Sequence, residues 1–197
     1  MSSVVAGLPA RPVLTDLLPR TAVRDVAVVV AGALLVAASA QIVVPLPFTP
    51  VPITGSTFGV LLVAAALGPL RGVLAMGLYL ALGLVGLPFY AEASSGIEVF
   101  AGATGGYLVA YPVVALLVGA CARRGLDRTP RGMAAAFLLG SAVFYAFGVP
   151  WLAVVAEMDA GEALRAGMLP FLIGDLAKAA LAAGLLPGVW RLLDRRA

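Results

Sequence analysis

Residues 26–44 run for nineteen positions without a charge. As a helix rising 1.5 Å per residue, a run of that length crosses the roughly 30 Å of hydrocarbon in a bilayer. Further apolar runs follow at 57–67, 72–87, 105–121, 132–149 and 170–190. Only 12% of the 197 residues are charged and 62% are hydrophobic, whereas roughly a quarter of a soluble domain is charged. The expectation is a polytopic, all-α membrane protein. There is no histidine and one cysteine, Cys121. That excludes imidazole acid–base chemistry, Ser-His-Asp triads, zinc sites built on His or Cys, and any intramolecular disulfide. No metal, no cofactor and no nucleic-acid partner is expected.

The basic residues test the segmentation, because a miscounted span would scramble their alternation. Arg11, Arg20 and Arg24 precede the first run, and Arg71 sits in the turn between the second and third. Arg123, Arg124, Arg128 and Arg131 follow the fourth, and Arg191, Arg195 and Arg196 follow the sixth. On the opposite side stands Arg165 alone. Positive charge gathers on the cytoplasmic side, so the asymmetry predicts six transmembrane helices with both termini cytoplasmic. Residues 1–25 form a cytoplasmic tail, 26–190 the transmembrane domain and 191–197 a second tail. Ala38-Ser39-Ala40 also fits a signal-peptide cleavage site, but the run before it is long and the chain after it is itself membrane-embedded.

The connections are unequal. Residues 45–56, P-L-P-F-T-P-V-P-I-T-G-S, hold four prolines and no charge, which forbids a helix and favours extended or turning chain. Their apolar side chains suit a plug over an external cavity; a stiff interfacial connector is the alternative. The run at 57–67 is short for a span, and either tilts, borrows from the preceding loop or stops short. Residues 88–104 are Gly/Ser-rich with Glu92 and Glu98, and 150–169 carry an amphipathic, interfacial middle.

Asp175 and Lys178, in P-F-L-I-G-D-L-A-K-A (170–179), are the ionisable side chains lying well inside an apolar run. Three residues apart, they project from one helix face, roughly 8 and 12 Å below the outer end of the sixth helix at 1.5 Å per residue. Charge in hydrocarbon is expensive unless paired or facing a wet cavity, which makes the pair a candidate binding site. The alternative is a mutual ion pair that locks the helix to its neighbours, although such pairs stabilise poorly. Gln41, Thr54, Tyr90 and Tyr107 are further polar or stacking candidates.

Six landmarks then come in order: A-Q-I-V-V-P-L-P-F-T-P-V-P-I-T-G-S-T-F (40–58), G-P-L-R-G (68–72), Y-L-A-L-G-L-V-G-L-P (79–88), G-A-T-G-G-Y (102–107), G-V-P-W-L (148–152) and the stretch 170–179. The set resembles the BioY family, the biotin-specific substrate-binding (S) components of energy-coupling factor transporters. It departs from that pattern at Ser56, where members often carry Gln, and over 90–98, which is more acidic. The resemblance implies a high-affinity, multi-pass cell-membrane subunit that captures biotin externally and is not itself an enzyme. Its motor is a transmembrane coupling protein with two ATP-binding cassette subunits. It assigns ligand contacts to Asp175 and Lys178, whose acceptor-only and donor-only chemistry suits a ureido ring and a carboxylate. Ala33, Ala37 and Ala40, at i, i+4 and i+7, resemble the small-residue stripe by which S components dock on the coupling protein; packing within the bundle is the alternative. Two other classes fit less well. A proton-coupled carrier would use Asp175 as its proton site but lacks a visible pair of interrupted segments. An intramembrane enzyme would have to use Asp175 and Lys178 as acid and base. No Walker A pattern is present.

Overall fold

The computed structural model describes residues 11–19 and 21–195. Residues 1–10, Arg20 and residues 196–197, all assigned above to the two tails, lie outside the described residues. The helices are α1 (Ala22–Ala40), α2 (Ser56–Leu67), α3 (Pro69–Leu84), α4 (Ile97–Ala101), α5 (Gly105–Arg123), α6 (Pro130–Val155), α7 (Ala160–Gly167) and α8 (Leu172–Asp194). Two short strands, β1 (Val43–Val44) and β2 (Ile53–Thr54), pair antiparallel between α1 and α2. Among the described residues, Ala22–Ala40, Gly105–Arg123, Pro130–Val155 and Ala160–Asp194 are long and apolar enough to cross a membrane, while α2 and α3 are shorter apolar helices.

The helix ends follow local chemistry. Thr21 caps α1 by accepting from the backbone N–H of Arg24 at 3.1 Å. Thr129 caps α6 in the same way with Pro130 in its first turn, and Asp159 and Glu162 form a reciprocal capping box on α7. Gly68, at φ +80°, is the single residue between α2 and α3. A side chain is strained in that left-handed conformation, and Pro69 then starts α3 with its φ already fixed.

Beyond Ser56 and Thr57 at its start, helix α2 is apolar all round and carries no charge, the pattern of a helix enclosed by others. Eight of its twelve residues are buried, and it forms the centre of the bundle. Val36 of α1, Val60, Leu61 and Ala64 of α2, Met76 of α3, Val114 and Val118 of α5 and Phe137 of α6 make the core around it. The outer faces are also apolar, with Val26, Leu34, Leu74, Leu116, Leu138, Ile173 and Leu181 exposed, as suits a surface solvated by lipid.

The Pro-rich segment is extended, as its prolines require. Its apolar side chains divide: Val51 is buried, whereas Phe48 is exposed. Lys178, more than a turn into α8, donates to the Thr54 carbonyl of this segment and to Thr57 in the first turn of α2. Helix α6 differs from the expected end at Val149. It continues through Pro150 to Val155, even though the missing proline N–H leaves the carbonyl of Ala146 without its helical donor. Two contacts offset that loss: Leu152 is fully buried, and the Trp151 indole donates to Gly102 O at 2.9 Å.

At the opposite end from the Pro-rich segment, residues 11–19 pack over the helix ends. Val13 is fully buried, and Asp16 accepts from Arg71 at 2.9 Å and from Arg123. Arg24 donates to the carbonyls of Thr15 and Leu18. Nearby, buried Asp127 accepts from Trp190 at 2.6 Å, with the Arg128 guanidinium 4.0 Å above the indole. Burial pushes the Asp16 carboxyl up, but hydrogen bonds from Arg71 and the Val13 N–H and the charge of Arg123 outweigh it, holding the group below the usual carboxylate value. A depressed folded value means that this contribution is present above the unfolded value and lost as pH falls through the folded one. Asp16→Asn is expected to lower stability by about 2 kcal/mol at neutral pH. The difference from the parent should close as the pH drops below about 4. Thermal melts of the detergent-purified protein across that range measure it.

Candidate functional site

A cavity opens between the Pro-rich hairpin, the segment 90–104 and helices α2, α3, α5, α6 and α8. All five tyrosines of the chain line it: Tyr79, Tyr90, Tyr107, Tyr111 and Tyr145. Their arrangement is set by ring contacts. Tyr79 and Tyr111 stack with centroids 5.8 Å apart, Tyr90 meets Tyr79 edge-on at 5.7 Å, and Phe144 meets Tyr111 edge-on at 5.5 Å. Offset and edge-on pairs of this kind rigidify an apolar wall. Space for Tyr107 comes from Gly148, where an added Cβ would stand 2.2 Å from the ring. The Tyr107 hydroxyl is already used, donating to Gly167 O at 2.6 Å.

One wall is polar. Lys178 donates to the Thr54 carbonyl at 3.0 Å and to Thr57 Oγ1 at 2.9 Å. Asp175 accepts from the Tyr145 hydroxyl at 2.6 Å on Oδ2, and its Oδ1 lies 3.7 Å from Lys178 Nζ. That separation is an ion pair without a proper hydrogen bond. The pair is therefore not closed on itself. Lysine has three donors, two of them engaged here, and a carboxylate accepts on both oxygens. Both groups border the cavity with bonding capacity left over. Beside them Thr54 and Ser56 share a 2.6 Å hydroxyl contact, and the Tyr111 hydroxyl donates to Ser56 Oγ at 2.7 Å.

Of the residues singled out in the sequence, Asp175, Lys178, Thr54, Tyr90 and Tyr107 come together around this cavity. Gln41 does not line it, and instead bridges the end of α1 to the 88–96 segment. Ala33, Ala37 and Ala40 are buried. They share the inward face of α1 with Gly32, where an added Cβ would meet Val63, Leu67 and Ala75 within 3.0 to 3.2 Å. The small side chains thus admit the protein's own α2 and α3, and the stripe is not open to another chain. Tyr145, Thr57, Ser56, Tyr111 and Phe171 were not singled out as site residues. The available signal was tyrosine itself, since a phenol within an apolar span needs a partner for its hydroxyl.

Together, the fold and the cavity define a polytopic membrane protein with an internal, aromatic-walled hollow served by one carboxylate and one ammonium group. Within that class the chain belongs to the BioY family, whose model matches residues 11–195. It is 35% identical over 159 residues to the biotin transporter BioY of Rhizobium etli, covering 77% of this chain and 84% of the relative. A probable biotin transporter BioY of Pyrococcus horikoshii is 36% identical over 159 residues, covering 81% and 91%. The biotin transporter BioY of Rhodobacter capsulatus is 39% identical over 158 residues, covering 75% and 82%. Among solved structures, the fold matches the S-component for biotin from an ECF-type ABC transporter. The TM-score is 0.70 at 22% identity, over 88% of this chain and 95% of the other.

Proposed function

We propose that this chain is the high-affinity biotin-binding subunit of an energy-coupling-factor uptake transporter in the cell membrane. It spans the membrane six times, with both termini cytoplasmic and the Pro-rich hairpin over the site on the external side. The gathering of Arg24, Arg71, Arg123 and Arg128 at the end remote from the cavity supports this orientation. The observation that carries the reading is the unclosed Asp175–Lys178 pair on the wall of an aromatic hollow. Asp175 takes N–H groups of the ureido ring. Lys178 supplies a donor to the ureido oxygen or the carboxylate, and the tyrosines enclose the thioether ring. Transport is completed by a coupling protein and ATP-binding cassette subunits. With Ala33, Ala37 and Ala40 occupied inside the bundle, the docking face on α1 is its exposed side, which carries Ala27 and Ala31.

Purified protein without partners should bind one biotin per chain by calorimetry, and a protein that takes up none overturns the proposal. Uptake in cells deprived of every candidate ATPase partner should be lost; persistent uptake would instead favour a proton-coupled carrier. Tyr145→Phe keeps the ring but removes the hydroxyl that fixes Asp175. It should weaken binding by roughly tenfold, the usual worth of a hydrogen bond to a charged group.

A further inference from the structure

Gln41 is the C-cap of α1, and its side-chain amide is bonded through both its nitrogen and its oxygen. The amide nitrogen donates to Ala37 O at 3.0 Å and to Tyr90 O at 3.1 Å, and the amide oxygen accepts from the Ala93 N–H at 2.9 Å. Two carbonyls and one N–H require both a donor and an acceptor on one side chain, which an amide provides and a carboxylate or a methyl group does not. The segment it holds carries Tyr90 into the cavity wall. That ring fits only because residue 83 is glycine: an added Cβ there would lie 2.3 Å from two ring atoms. The segment is fastened to α3 as well, through the Tyr90 hydroxyl on Leu80 O at 2.8 Å and the Gly96 N–H on Gly83 O at 2.8 Å.

Against these fastenings stands backbone strain. Glu92 and Ala93 sit at φ +57° and +53°, successive left-handed conformations that residues with a Cβ rarely adopt. Such a segment keeps its shape only while its surroundings impose it. We propose that Gln41 is a positioning residue that latches residues 88–96 as a strained lid over the cavity, seating Tyr90 and setting how fast a bound solute leaves. This rests on the reading that the cavity takes biotin. Because the latch is the C-cap of α1, displacement of that helix end is transmitted directly to the lid.

The test uses the full chain in lipid nanodiscs. Amide hydrogen exchange of peptides covering 88–96 is measured without biotin, and biotin dissociation is measured by chase. Gln41→Ala should speed both by about tenfold, the combined loss of modest hydrogen bonds, with an unchanged melting temperature and association rate. Gly83→Ala attacks the lid from its other side while favouring the helix it belongs to, and should act in the same direction. The latch is overturned if exchange and dissociation in both variants stay within twofold of the parent. Faster dissociation without faster exchange in Gln41→Ala overturns it too, because Gln41 would then touch the solute itself. Should the parent bind no biotin, the functional proposal fails, while the exchange measurement still decides the latch.

Discussion

Asp175→Asn is expected to weaken biotin binding by on the order of a hundred- to several thousandfold, the effect of breaking a buried charge pair at about 3–5 kcal/mol. The change is small in volume and large in chemistry. It leaves the Lys178 ammonium without its neighbouring anion, 3.7 Å away in the parent. It also sets an amide that both donates and accepts at the position proposed to accept from a ureido N–H, and sites built to hydrogen-bond a particular group discriminate strongly for that reason. Tyr145 still has an oxygen to donate to, so the local packing survives. Titration of monodisperse protein that melts near the parent temperature measures the loss. Affinity within tenfold of the parent would remove Asp175 from the site.

Gly119→Val is expected to leave little monodisperse protein. A Cβ at position 119 would lie 2.5 Å from Pro69 N, 2.6 Å from Gly68 C and 2.7 Å from Pro69 Cα. All three are backbone atoms at the joint between α2 and α3, so no side-chain rotation relieves the clash, and α5 has to separate from that joint. Overpacking in a dense interior commonly costs about 1–3 kcal/mol, and here even Gly119→Ala should reach the upper part of that range. Gly77 is the control, because nothing lies within 4 Å of its Cβ position. Gly77→Ala should be neutral or stabilising by up to about 1 kcal/mol through helix propensity. Size-exclusion profiles and thermal melts of the three variants check the ranking.

The apolar runs were legible because charge is so costly in lipid that its absence over residues 26–44 or 105–121 leaves few choices. Asp175 and Lys178 were legible by the inverse of the same rule. Other features were not, for reasons that lie in tertiary contact. Pro150 reads as the end of a helix, and only the seating of Trp151 and Leu152 explains why α6 passes through it. Spacing identified a stripe of alanines but not which way it faces; that is decided by α2 and α3 packing against Gly32 and Val36. Tyr145 lies thirty residues from Asp175, and Thr57 lies further still from Lys178. No local pattern links such partners. Gln41 was conspicuous as a polar residue at a span end, yet its hydrogen bonds point to the lid and the helix rather than into the hollow.

The packed segment at residues 11–17 bears on how the protein is made. It leaves the ribosome before α1, yet Arg11 bonds to the carbonyl of Arg123 and Asp16 to the side chains of Arg71 and Arg123. Its partners are synthesised more than fifty and more than a hundred residues later. The contacts to Arg123 therefore cannot form until the end of α5 has been made. One end of the bundle is thus closed late by a segment that precedes its first helix.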